Sequence, residues 1–146
     1  MNQTPRHVEV IYCDDIREEV GNKHSYMGVY TDELTVPTVP VMLAKFCISV
    51  KVITNMEDPF EALEVRIVKV KDNEETDLLT TGPVNFLNQL SNIENGRSRL
   101  MVQLTFALAP FQIDEETTLR VKAITEREEL RGMALRIRTS TPDKSI

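Results

Sequence analysis

Met42-Leu43-Ala44-Lys45-Phe46-Cys47-Ile48-Ser49-Val50-Lys51-Val52 is the stretch that decides the fold. Met42, Ala44, Phe46, Ile48, Val50 and Val52 alternate with Lys45, Cys47, Ser49 and Lys51. Period two predicts a long strand with one apolar face and one wetter face. A strand with a wet face does not suit a parallel sheet covered on both sides.

The same reading repeats on either side. Val8, Val10 and Tyr12 mark a first strand, and Met27 to Tyr30 a short second one. Leu63, Val65 and Ile67 alternate with Glu64 and Arg66, after which the parity flips to Val68 and Val70. A β-bulge near Ile67 and Val68 would turn Val65 and Val70 to the same side. Leu100, Val102, Leu104, Phe106 and Leu108 form another row, followed by Leu119, Val121, Ala123 and then Met133, Leu135, Ile137. Phe46 and Phe106 stand midway along the longest rows and are expected in the core, on central strands. The outer positions Arg99, Met101, Gln103, Thr105 and Ala107 are unusually mild and suit a second layer or a partner.

About seven such strands bury their apolar rows best as two sheets packed face to face. The fold class expected is all-β: an antiparallel β-sandwich, immunoglobulin-like or Greek-key, with at most one short helix. A partly closed barrel comes second. The helix is expected after Gly82-Pro83, where Val84, Leu87 and Leu90 recur at helical spacing. Glu57-Asp58 and Glu74-Glu75 with Asp77 read as wet turns. Thr35 to Pro40, with prolines at 37 and 40, reads as extended chain along a sheet edge.

The chain has 146 residues with a net charge of -6, 5% aromatic residues and no Trp. One domain is expected over 1–140, with a short tail at 141–146. The negative charge argues against a phosphate-backbone binder, and the missing Trp against base-stacking platforms. The apolar stretch from Val36 to Val50 is broken by prolines and Lys45, so no transmembrane span is expected. No cofactor is implied: two histidines and two cysteines are little material for a metal centre, and five scattered glycines make no phosphate loop. Without a visible signal segment, Cys13 and Cys47 are expected as buried thiols in a cytoplasmic protein.

The densest polar cluster is the run from Asp14 to Ser25, expected to be a loop joining the first two strands. Its candidate residues are Asp14, Asp15, Arg17, Glu18, Glu19, Asn22, Lys23 and Ser25. Three readings compete. Arg17 braces the loop by pairing with a carboxylate, while Asn22 takes a left-handed backbone position. The loop recognises a protein or ligand. Or its four carboxylates hold calcium, which takes roughly six to eight oxygen ligands, although Arg17 and Lys23 oppose that. An active site around His24-Ser25 is disfavoured. Adjacent residues seldom place a base within about 2.6–3.2 Å of its nucleophile, and no strand-elbow motif surrounds Ser25. Asp14 and Asp15 would raise the Cys13 thiol and blunt it as a nucleophile.

The run Cys13-Asp14-Asp15-Ile16-Arg17-Glu18-Glu19, continued by Asn22-Lys23, Ser25, Gly28 and Tyr30, resembles the opening of a family of small bacterial and phage-associated proteins classed as a domain of unknown function. The resemblance implies a bacterial or phage setting and carries over no activity, cofactor or catalytic residue. The leading expectation is a non-enzymatic β-sandwich that binds another protein as an accessory factor. A homodimer is the second. A hydrolase or calcium-dependent module using Asp14 to Glu19 is the third.

Overall fold

A computed structural model of the protein describes residues 5–84 and 99–140. Those residues form twelve β-strands: β1 (His7–Glu19), β2 (Lys23–Tyr30), β3 (Glu33–Val36), β4 (Val41–Leu43), β5 (Phe46–Asn55), β6 (Leu63–Lys71), β7 (Glu74–Pro83), β8 (Arg99–Leu108), β9 (Phe111–Ile113), β10 (Thr117–Thr125), β11 (Glu129–Arg131) and β12 (Leu135–Thr139). One sheet runs β2-β1-β5-β8; the second runs β3-β12-β10-β6-β7, with β11 also paired to β10. The pairing is antiparallel except for β12 with β3, which is parallel.

The expected row of β5 is the centre of the first sheet. Phe46, Ile48, Val50 and Val52 are fully buried, as are Val65 and Ile67 of β6, Leu119 and Val121 of β10, and Leu135 and Ile137 of β12. These rows from the two sheets meet in one hydrophobic cluster, which is the sandwich arrangement. Tyr12 ties the layers together by donating its hydroxyl to Met133 O at 2.6 Å. The small β4-β9 ribbon continues the β5-β8 ladder in the same register. Phe46 faces Leu108, and beyond the break Leu43 faces Phe111. The ladder bends there, so that Phe111 stacks on Phe46 with ring centroids 4.9 Å apart and closes one end of the core.

Several expectations are corrected. There are twelve strands among the described residues, not seven, because β3, β4, β9 and β11 have only three or four residues, too few to alternate legibly, and the ten-residue β7 is broken by bulges. Glu74, Glu75 and Asp77 lie within β7, not in a turn; the turn is Asp72-Asn73, both at positive φ, as a two-residue hairpin requires. Gly82 and Pro83 close β7, so no helix starts at Pro83. Val84 is not helical and its amide donates to Leu63 O at 2.7 Å, while Leu87 and Leu90 lie outside the described residues, as does the tail at 141–146.

The bulge is present, but on the other strand. Ile67 faces Leu79 and Val68 faces Asp77, which leaves Leu78 as the extra residue. A second shift falls between Glu64 and Arg66, opposite Gly82 at φ 64°. Towards β10 the pairing of β6 is regular throughout. Ile67 therefore joins the core, while Val68 is buried on the opposite face and Val70 only half-buried. Phe106 is also corrected. Among the described residues its strand β8 is the last of its sheet, and Phe106 is half-buried.

Candidate functional site

The run from Asp14 to Ser25 is no loop. Asp14 to Glu19 continue β1, Lys23 to Ser25 begin β2, and only Val20-Gly21-Asn22 turn the chain. Gly21 and Asn22 both take positive φ, at 93° and 58°. The left-handed position expected of Asn22 is thus where it was placed.

The hairpin is bent. In the pairing register Tyr30, Gly28, Tyr26 and His24 share one row, and Tyr30 belongs to the core side, with its ring 5.9 Å from Phe46. Tyr26 instead meets the outer side: its hydroxyl is 3.4 Å from Ser49 Oγ and accepts from Gln103 Nε2 at 3.4 Å. His24 Nδ1 is 3.4 Å from the same Gln103 nitrogen. The face changes at Gly28, whose φ is 67°. A side chain there would run into Asp14, which accepts the Tyr30 hydroxyl. The far half of the hairpin therefore folds back over the outer face of β5 and β8. This explains why Cys13, Cys47 and Ser49, all on outer positions, are buried. The second layer expected on this face is in part the chain's own hairpin.

The candidate residues do not converge. Strand alternation sends Asp14 and Glu18 to one face and Asp15 and Glu19 to the other. Asp15 is held by Lys45 at 2.7 Å, with Arg17 farther away at 3.8 Å. The hydrogen bond from Lys45, helped by the Ile16 amide, keeps the Asp15 carboxyl below its usual range. The Arg17 side chain is 67% exposed, so the brace expected of Arg17 belongs to Lys45. Ser25 faces Arg17 and His24 faces Glu18 across the hairpin, so the two neighbours point to opposite sides. Burial, then the adjacent Cys47 thiol, pushes the Cys13 thiol up to about 11, while its bond to Asp15 O works the other way. Among the described residues no three His, Cys, Asp or Glu side chains group to hold a cation.

The densest buried polar group went unforeseen. The Arg6 side chain is 1% exposed, paired with Asp58 at 3.3 Å and Glu126 at 2.7 Å. It also donates to Pro59 O at 2.9 Å and lies over the Phe60 ring, 4.9 Å from its centroid. Arg127 grips Asp58 through two nitrogens from outside. The cluster clamps the entrance of β1 to the β5-β6 and β10-β11 turns. Its partners lie far apart in the chain, so the signal is pairwise, and no spacing in a single sequence carries it.

What the architecture leaves open is the edge of β8. All ten residues of β8 pair regularly with β5, and among the described residues nothing pairs with its other side. The three other outermost strands of the two large sheets are defended in the ways sheet edges usually are. Strand β7 carries two bulges and three acids, β3 has four residues followed by Pro37, and β2 is kinked at Gly28. Strand β8 has no charge after Arg99 and no bulge. Its core-side residues Leu104, Phe106 and Leu108 are only half-buried, and on its outer side Met101 is 46% exposed.

The chain is thus an all-β protein with two main sheets, and among the described residues β8 presents a regular, unpaired edge that is uncharged beyond Arg99. It belongs to the family described as "Family of unknown function (DUF6941)", whose model matches residues 9–138. No curated protein and no solved structure shows a significant match. Among the described residues, no helix is long and apolar enough to cross a membrane.

Proposed function

We propose that the protein is a non-enzymatic accessory factor that acts by binding protein, and that its binding element is the open edge of β8. The observation that carries this is the contrast among the four edges of the two large sheets: three are defended, and the fourth is regular, ten residues long and uncharged beyond Arg99. An edge of this kind offers a row of backbone donors and acceptors to an added strand, with apolar positions beside it for specificity. The reading includes a bacterial or phage setting, which rests on the resemblance of the opening segment. It also includes a cytoplasmic location. Cys13 and Cys47 face each other across β1 and β5 as free thiols, which suits a reducing compartment.

The test is a photo-reactive amino acid placed at Thr105, an exposed position on β8, in the source cell. Crosslinked protein at Thr105, lost when Met101 and Ala107 are changed to lysine, is expected. Crosslinking that is no stronger at Thr105 than at exposed Arg138 on β12 would overturn the reading.

A further inference from the structure

Resting on that reading, we infer that the strand added at β8 is β8 of a second copy of this chain, antiparallel about a two-fold axis at Thr105. Two features point to a copy of itself. The first is electrostatic. With a net charge of -6, two copies meet at least cost where neither presents acids, and Leu100 to Leu108 carries no charge at all. Each of the other outermost strands brings carboxylates or a neighbouring one: Glu74, Glu75 and Asp77 on β7, Glu33 on β3, and Asp14 to Glu19 beside β2. Like charges set opposite each other across a strand pair are destabilising.

The second feature is where the apolar row is incomplete. Leu100 and Val102 are already buried, whereas Leu104, Phe106 and Leu108 are half-covered. A two-fold axis at Thr105 sets Leu104 against Phe106 of the partner copy and Val102 against its Leu108. The overlap thus falls on the half-covered residues. Their rows stay on the core side of both sheets, and two four-stranded sheets become one continuous sheet. Thr105 meets its own copy, a tolerated cross-strand pair. Placing the axis at Gln103 would instead bring together the two hairpins that His24 and Tyr26 anchor there. An isologous contact of this kind closes at two copies and does not propagate into fibres.

The experiment uses the purified full chain. Sedimentation velocity is expected to show a dimer that dissociates on dilution. Thr105→Lys, which sets two ammonium groups face to face, is expected to leave a folded monomer that melts with dilute, dissociated wild type and without the rise in melting temperature that wild type shows on concentration. For the register, Thr105→Cys treated with copper-phenanthroline is expected to give a covalent dimer, because directly opposed Cβ atoms lie about 4.5–5.5 Å apart. Met101→Cys, remote from its own copy in this arrangement, is expected to remain uncrosslinked. A monomer at every concentration overturns the inference, as does crosslinking at Met101 equal to that at Thr105. A monomer that still gives a Thr105-dependent photo-crosslink to a different protein in the source cell leaves the protein-binding reading standing and removes the second copy. Loss of both signals removes both.

Discussion

Arg6 and Arg127 both pair with Asp58, yet their surroundings give them different weights. Arg6 is sealed under Phe60 and between two turns, whereas Arg127 is half-exposed. Removing one partner from a buried ion pair costs about 3–5 kcal/mol, while an exposed pair is screened by water and contributes little. Arg6→Ala should therefore lower the melting temperature by many degrees, and Arg127→Ala should stay close to wild type; equal melts would refute the clamp. Glu126 adds a pH dependence. Burial disfavours its charge, but the Glu61 amide foremost, then its own amide, Arg6 and the Ala62 amide, hold its carboxyl down to about 2. Its folded value lies below the unfolded 4.5, so its contribution is complete above that value and lost as the pH falls towards 2. Melts at pH 7 and pH 3 should show a smaller acid loss in Glu126→Gln than in wild type. At this scale the sequence was least informative. The run from Asp14 to Ser25 stood out by composition, yet its carboxylates splay and Arg17 lies in solvent. Arg6, a single cation beside Pro5, drew no attention because its partners come from distant turns.

The strands show what a period of two can and cannot reveal. The rows of β5, β6, β8, β10 and β12 were legible because each alternates strongly apolar with smaller or more polar residues over five or more positions. The order in the sheet was not, and that order separates Phe46 from Phe106. Both are mid-row aromatics, but β5 is flanked by β1 and β8 while, among the described residues, β8 is flanked by β5 alone. Phe46→Ala should cost about 3–5 kcal/mol through lost transfer and a cavity. Phe106→Ala should cost clearly less when urea unfolding is followed at low protein concentration. Equal midpoint shifts would place β8 inside the sheet. Strand β7 was hidden for a related reason. Its two bulges break the alternation of Thr76 to Gly82, although the parity flip in β6 pointed to the right place in the ladder. The kink of β2 was equally unreadable, since Gly28 shows its role only once Asp14 and Tyr30 are beside it.

Across the whole molecule, two sheets share one core, the bent β1-β2 hairpin shelters part of an outer face, and three sheet edges are blunted. The open edge of β8 is the claim on which the functional account depends, and amide hydrogen exchange resolved by residue tests it directly. In dilute protein, amides along β8 should alternate: those bonded to β5 exchange slowly and those on the open side quickly. Raising the concentration should slow the fast set from Val102 to Leu108. Uniform slow exchange along β8 at every dilution would mean that the edge is already covered within the single chain, and would contradict the account.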